Sequence, residues 1–280
     1  MIISIQREKL IDPLKQMVGV SEKKQTMPIL GNVLLRSEEK MLLLVSSDLE
    51  VEVSTAIPYQ IQEAVNTTLP ARKLLDILKS LPGTDLVDIE VNESKATIKS
   101  GKSKFTLATI PGTDFPYKKE SNDFTFSVSA VDLDSLIAQT GFSMATQDAR
   151  HFLNGMFLEV SKNKLTVVAT DGHRLSMSST ETKNPAEEPV SCIIPRKCII
   201  EIKRILTTFK DNKENIVNFT ITNREIVIKI NDFIVKSKLI EGNYPDYKKV
   251  FPEALPHKLT ADKQDLKAAL QRMSILSNEQ

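Results

Sequence analysis

One short stretch of the chain brings together side chains that could carry out chemistry. In the run LTVVATDGHRLSMSS, residues 165–179, Asp171, His173 and Arg174 surround Gly172 between two alternating apolar segments. A carboxylate two residues from an imidazole suits acid–base catalysis or metal binding. It is the closest such pair that the chain's three histidines form. Catalysis would also need a nucleophile or further metal ligands, and the sequence does not gather them there.

The rest of the sequence also lacks the motifs of common catalytic and cofactor sites. It contains no GxxxxGKS/T phosphate loop, no GxGxxG, no HExxH and no GxSxG. The two cysteines, Cys192 and Cys198, have neither the spacing of a CxxC pair nor the number of a disulfide framework, and we expect both to be reduced and buried. We therefore predict no catalytic residue, no metal site and no cofactor, and a protein that is not an enzyme.

Length and composition favour a globular protein of two or three domains, because 280 residues with 41% hydrophobic content can bury several cores. The net charge of +1 means that any nucleic-acid binding depends on how the basic residues are distributed. The N-terminal segment MIISIQREKL has no long apolar stretch after a basic start, and no apolar run approaches the roughly 18 residues of a membrane span. We expect a cytoplasmic protein that does not associate with membranes.

Short segments of alternating apolar residues indicate abundant β-strand, and fewer segments have the spacing of amphipathic helices. In the last of these, Leu266, Ala269, Leu270 and Met273 form one apolar stripe. The predicted helices cover residues 7–17, 72–81, 131–140, 196–209 and 262–276.

The order of these elements repeats along the chain. LLLVSSDLEVEVST aligns with LTVVATDGHRLSMSST, which pairs Asp48 with Asp171, and LPARKLLDIL aligns with IPRKCIIEI, which pairs Arg72 with Arg196. A third copy begins with KLTADKQDLKAALQRMSIL, and the sequence ends after the first helix of that copy. The repeat predicts three domains. Their expected limits are 1–121, 122–252 and, for the partial third domain, 253–280.

Each full copy has two amphipathic helices and two sets of alternating strands, which suits an α+β fold with helices on one face of an antiparallel sheet. Joined end to end, such copies would form an arc with sheets outside and paired helices inside. The second helix of each copy begins with a basic pair directly after a proline, Arg72-Lys73 and Arg196-Lys197. The helix dipole disfavours cations at an N-terminus, so we predict for these residues a role outside helix stability.

Five segments spread over the whole chain resemble one protein family. MPILGNVLL, RHFLNGMFLEV, VVATDGHRLSMSS, EGNYPDYKKVFP and RMSILSNE are similar to the bacterial DNA polymerase III beta subunits, the replicative sliding clamps. The resemblance implies clamp domains in a head-to-tail homodimeric ring, with duplex DNA of any sequence passing through a helix-lined hole. It also implies a processivity factor that tethers the replicative polymerase and has no catalytic activity of its own.

The resemblance gives the DGHR turn a second role. Its Asp-Gly pair is already explained as a hairpin between alternating strands, but the corresponding turn of the first repeat has Leu49 and Glu50, so a hairpin does not account for His173 and Arg174. In the family this stretch lines a cleft between the second and third domains. Short peptide motifs of the DNA polymerase III core, the clamp loader, other DNA polymerases and repair proteins dock there. The matching residues are Leu153, Thr170, Gly172, His173, Arg174, Leu175, Pro245, Lys249 and Val250.

The DNA-contacting positions of the family match less closely, since this chain has Lys where Arg is usual and His-Phe where tyrosines are usual. Contacts of this kind go to phosphates and carry no base information. With the basic helix residues added, the candidate DNA-binding set is Lys24, Arg72, Gln147, His151, Phe152, Arg196, Lys197 and Arg204.

The chain departs from the family at its C-terminus, because the third domain of the family is complete. We expect either a truncated chain or a shortened product whose ring cannot close in the usual way. Two other classes stay open: a non-ring DNA-binding protein built from the same repeats, and an interaction scaffold with no DNA role.

Overall fold

The computed structural model describes residues 1–21, 27–60, 63–82, 86–92, 94–117, 125–182, 189–209, 215–252 and 255–276. The chain packs into two compact units, Met1–Tyr244 and Pro245–Gln280. Among the described residues, no helix is both long enough and apolar enough to cross a bilayer.

The first unit is built from short strands and four longer helices. The helices are α1 (Arg7–Met17), α2 (Ala71–Ser80), α3 (Ala130–Thr140) and α4 (Arg196–Thr208). The strands are β1 (Ile2–Gln6), β2 (Asn32–Glu38), β3 (Met41–Ser47), β4 (Val51–Pro58), β5 (Asn66–Pro70), β6 (Leu86–Val91), β7 (Lys95–Ser100), β8 (Ser103–Ala108), β9 (Ile110–Pro111), β10 (Phe126–Ser129), β11 (Gly155–Ser161), β12 (Lys164–Thr170), β13 (Leu175–Glu181), β14 (Val190–Pro195), β15 (Ile216–Ile221), β16 (Glu225–Ile230) and β17 (Phe233–Lys238).

In the part of the chain that is described, these strands form three antiparallel sheets. Two sheets have four strands, in the orders β1-β6-β7-β8 and β13-β12-β11-β14. The third has nine strands, in the order β10-β15-β16-β17-β4-β3-β2-β5-β9. Its β17 belongs to the second repeat and pairs with β4 of the first, with Val235 opposite Val53. The sheet therefore continues from one repeat into the next.

The helices lie over the sheets and bury one face each, as their apolar spacing requires. The buried side of α2 is formed by Leu74, Leu75 and Leu78, all of which join the main hydrophobic core. Helix α1 packs against α2, α3 packs against α4, and α1 also contacts α4. The first four helices begin and end within one residue of the predicted ranges. The predicted α+β fold, with paired helices over antiparallel sheets, is confirmed.

The second unit contains a 3₁₀ turn, Tyr247–Val250, and the helix α5 (Lys263–Ser274). Asp262 caps α5, since its carboxylate accepts the backbone N–H groups of the second and third helical residues at 2.8 and 3.1 Å. The predicted apolar stripe is present on this helix but is solvent-exposed, with Leu270 61% and Met273 74% accessible. The helix is confirmed, and its apolar face has little cover within the described residues.

Candidate functional site

The DGHR turn is a hairpin loop whose backbone is held by one carboxylate. Thr170 at the end of β12 lies opposite Leu175 at the start of β13, so the loop has four residues, Asp171 to Arg174. Asp171 Oδ1 accepts the backbone N–H groups of His173 and Arg174, both at 3.0 Å. Gly172 has a φ of +88°, the left-handed conformation that glycine adopts without strain. The predicted hairpin is confirmed, and Asp171 and Gly172 are explained by it.

The first repeat forms the same turn from different residues. Asp48 Oδ1 accepts the backbone N–H groups of Glu50 and Val51 at 2.9 and 2.7 Å, and Leu49, with a φ of +75°, takes the place of glycine. Glu50 and Val51 thus occupy the positions of His173 and Arg174, which corrects the sequence comparison that placed Leu49 and Glu50 there. The backbone conformation does not require a histidine or an arginine, so these two side chains are available for another role.

Arg174 fixes one edge of the second turn. Its Nε donates to Asp171 Oδ2 at 3.0 Å, and its Nη2 donates to the carbonyl oxygen of Phe142 at 2.9 Å. The guanidinium also lies 5.7 Å from the centre of the Phe142 ring, within cation–π range. Phe142 is 57% exposed, and His173, which precedes Arg174 in the turn, is exposed as well. The edge therefore presents a charged plane, an aromatic ring and an imidazole to solvent.

Arg150 joins this turn to the segment that contains Leu153, and sequence analysis missed it. Its Nε and Nη2 bind the two carboxylate oxygens of Asp148 at 3.0 and 2.9 Å, and Nη2 also reaches the carbonyl oxygen of Asp171 at 3.4 Å. Leu153 donates its N–H to the carbonyl oxygen of Arg150 at 2.8 Å. Arg150 directly precedes two candidate residues in RHFLNG, but nothing in the sequence indicates which neighbour it would contact.

Hydrogen bonds keep both carboxylates of this region charged. The Arg150 side chain, followed by its backbone N–H, lowers the pKa of Asp148 to about 2. The backbone N–H groups of Arg174 and His173 lower the pKa of Asp171 to about 2. Carboxylates with such pKa values are weak general bases near neutral pH. Their chemistry suits holding a turn in place and argues against the acid–base interpretation.

The candidate peptide-binding residues differ in solvent exposure and in the unit to which they belong. Thr170 is buried, with its hydroxyl donating to the carbonyl oxygen of Arg174 at 2.6 Å, and Leu153 is only 1% exposed. Leu175 is half-buried, and Gly172, His173 and Arg174 are exposed. The remaining candidates, Pro245, Lys249 and Val250, belong to the second unit. Of the two candidate leucines in the first unit, Leu175 is the one with surface to offer a ligand.

The candidate DNA-binding residues are also placed differently from one another. Lys24 lies outside the described residues. Gln147 is exposed with a φ of +58°, and His151 is exposed on a short 3₁₀ turn beside the half-buried Phe152.

The arginines that begin α2 and α4 make the same contact in both repeats. Arg72 Nη2 donates to the carbonyl oxygen of Ser21, and Arg196 Nη1 donates to that of Met144, each at 3.1 Å. Each carbonyl follows the first helix of its own repeat. The contact gives these cations a role outside helix stability: they tie the start of the second helix to the loop after the first.

The described residues show no site for metal or thiol chemistry. No group of three or more His, Cys, Asp or Glu side chains among them lies close enough to hold a metal ion. Cys192 and Cys198 are free and buried, and burial raises the pKa of each thiol to about 12. Both thiols therefore stay protonated near neutral pH and are unreactive.

Replacing Gly172 with Ala is expected to lower the free energy of unfolding by about 1 kcal/mol, because a side chain at its φ of +88° is strained. A Cβ there would also lie 2.9 Å from Arg150 Nη2, so Arg150 should move away from the turn. Urea unfolding measures the cost. Leu49→Gly in the matching turn is the reverse control, and it should raise the free energy of unfolding by about 1 kcal/mol, because glycine removes the strain of a side chain at a φ of +75°. Equal changes in the free energy of unfolding for the two variants would contradict the role of positive φ at Gly172.

Two domain models of one protein family match the chain. The N-terminal domain of the DNA polymerase III beta subunit matches residues 1–119, and the central domain of that subunit matches residues 127–246. The beta sliding clamp of Pseudomonas aeruginosa is 43% identical over 281 residues, covering 100% of this chain and 76% of the relative. That of Escherichia coli is 38% identical over 281 residues, covering 100% and 75%.

Solved structures agree with these matches. The DNA polymerase III subunit beta of Pseudomonas aeruginosa has a TM-score of 0.92 at 42% identity, covering 100% of this chain and 76% of that one. A sliding clamp of the same organism, solved bound to griselimycin, also has a TM-score of 0.92 at 42% identity, covering 100% and 75%.

Proposed function

The chain belongs to the DNA polymerase III beta subunit family, and we propose that it acts as a replicative sliding clamp. It encircles duplex DNA in the cytoplasm and holds the replicative polymerase on it, which makes the polymerase processive. The protein binds and tethers without catalysing a reaction. The low pKa values of Asp148 and Asp171 and the buried, protonated cysteines support this.

We propose that DNA is held by phosphate contacts from the helix side of the sheets. Sequence-independent contacts suit a clamp, since it must slide over every sequence. The exposed positions that support this include Arg72, Gln147 and His151. The partly exposed Arg196 repeats the placement of Arg72, so the two repeats present equivalent guanidinium groups.

We propose that partner proteins dock at the DGHR turn with short extended peptides. An apolar anchor beside a polar rim is the usual composition of such sites. Leu175 supplies the anchor, and His173 with Arg174 supplies the rim. The griselimycin-bound relative shows that a protein of this fold binds a ligand. The polymerase III core, the clamp loader, other polymerases and repair proteins are the proposed users of this site.

We propose a homodimeric ring built from clamp domains, at 1–121, 122–252 and, in part, 253–280. Edge strand β8 supports this, because β7 pairs with one side of it and no described strand pairs with the other. Phe105 on that strand is half-buried, so an incoming strand would find both backbone groups and an apolar side chain.

The observation that carries this function is the continuous sheet through two repeats with paired helices over it. Its test is retention on DNA after loading by a clamp loader onto a nicked circular duplex. We expect the protein to remain on the circle and to be lost when the circle is cut, because a ring slides off free ends. Equal retention on both forms would indicate a groove-binding protein, and no retention on either would indicate a scaffold without a DNA role.

A further inference from the structure

Four charged side chains meet where the first repeat joins the second. Lys197 Nζ forms an ion pair with Asp48, and Arg204 Nη1 binds Glu201 Oε2 at 2.7 Å. We call these four residues the junction cluster. Its acids are well buried, since the side chains of Asp48 and Glu201 are 8% and 3% exposed, and Lys197 is only 26% exposed. Most of the Lys197 side chain is therefore shielded from solvent.

The cluster is attached to the first repeat at two points. Asp48 caps the turn that leads into β4, and the backbone carbonyl oxygen of Glu50 in that turn accepts the backbone N–H of Lys238, at the end of β17, at 2.9 Å. The guanidinium of Arg204 lies directly against the backbone of Gly19, just after α1. It is so close that any side chain at Gly19 would clash with it. Helix α4 therefore holds the first repeat at one end of the β4–β17 pairing and at the end of α1.

The charges of the cluster balance, and this explains how they tolerate burial. Burial raises the pKa of Glu201, while the charges of Arg204 and Lys197 oppose that rise. Removing one cation would leave a buried carboxylate without compensation, which is far costlier than losing a surface ion pair.

Neighbouring cations on the helices are in a different state. Lys203, six residues and about 1.7 turns along α4 from Lys197, is exposed, and so is Lys73, the first-repeat counterpart of Lys197. Neither has an ion-pair partner among the described residues. Their ammonium groups are available to phosphate, whereas those of the junction cluster are engaged with carboxylates.

We propose that Lys197 and Arg204 are positioning residues that fix the angle between the first and second repeats, and that they do not neutralise DNA phosphates. The sequence placed both in the DNA-binding set. The proposal depends on the proposed DNA function in one respect only: it assigns phosphate contact to Lys203 and not to Lys197 or Arg204. In a ring, the angle between repeats sets the curvature, so the cluster determines whether the subunit is shaped to close.

The test compares Lys197→Met with Lys203→Met, which removes a cation of the same type from the same helix. Amide exchange is followed at Glu52 and Lys236, which lie opposite each other in the β4–β17 pairing, two residues along from the hydrogen bond between Lys238 and Glu50. Binding to a short fluorescent duplex is titrated with salt. We expect Lys197→Met to speed exchange about tenfold or more and to leave the slope of log affinity against log salt unchanged. Lys203→Met should leave exchange unchanged and reduce that slope by about 0.9.

Two further variants keep the test decisive if Lys197→Met folds poorly. Lys197→Arg should retain normal exchange, and the exchanged pair Asp48→Lys with Lys197→Asp should recover part of the lost protection. The proposal is overturned if Lys197→Met reduces the salt slope as Lys203→Met does, or if exchange at the pairing does not change. If neither variant alters the slope, the proposed DNA contact of the helices fails, and exchange alone then decides on the junction cluster.

Discussion

Replacing Leu175 with Asp is expected to reduce the affinity for a partner peptide about 100-fold or more. Leu175 is half-buried at the start of β13, directly after the turn. A ligand side chain packed on it would have to bury a carboxylate, and buried apolar anchors dominate such interfaces. The measurement is titration of a fluorescent peptide with a Gln-Leu-x-Leu-Phe motif, with thermal melting as the control for folding.

The rim should contribute less than the anchor. Alanine at His173 and Arg174 together is expected to cost about tenfold or less, because partly solvated rim groups add little affinity. Glu50→Ala is the matched control, since it changes the equivalent turn of the first repeat and should leave the affinity unchanged. Leu153 is a poor probe, because it is 1% exposed and its truncation would cost about 2–5 kcal/mol in folding. Undiminished binding in a folded Leu175→Asp variant would show that this turn is only a hairpin.

Reversing the charge of both helix-start arginines, by Arg72→Glu with Arg196→Glu, is expected to reduce the affinity for a short linear duplex about 100-fold at low salt. Two phosphate contacts are lost, and two carboxylates then face the DNA. The slope of log affinity against log salt should fall by about 1.8, since each lost phosphate contact contributes about 0.9. The measurement is titration of a short fluorescent duplex, repeated across a salt series.

The structure requires a control for this variant, because both arginines also donate to backbone carbonyls at 3.1 Å. Replacing both with Gln removes the charge but keeps an N–H donor. If phosphate contact is the cause, the Gln variant should show the reduced salt slope while melting at the normal temperature. A normal slope in a variant that melts early would instead assign both arginines to loop positioning.

Local features of this protein were readable from the sequence. In the first two repeats, the helix limits were predicted to within one residue. The apolar residues of these helices recur at the helical period, and a proline directly precedes α2 and α4. The Asp-Gly turn was readable for the same reason: the carboxylate that caps it and the glycine that permits its conformation lie within the loop itself. The internal repeat then extended these local assignments to an α+β fold.

Only the tertiary structure decided what each charged side chain does. Lys73 and Lys197 occupy matching places in the repeat, yet the first is exposed and the second is paired with Asp48. The same holds for Arg150, whose contact with the DGHR turn depends on how β12 and the preceding loop pack. Helix period and turn chemistry act over a few residues, so sequence reports them. The state of a charge depends on solvent exposure and on partners brought from distant parts of the chain, which are set only when the sheets and helices have packed.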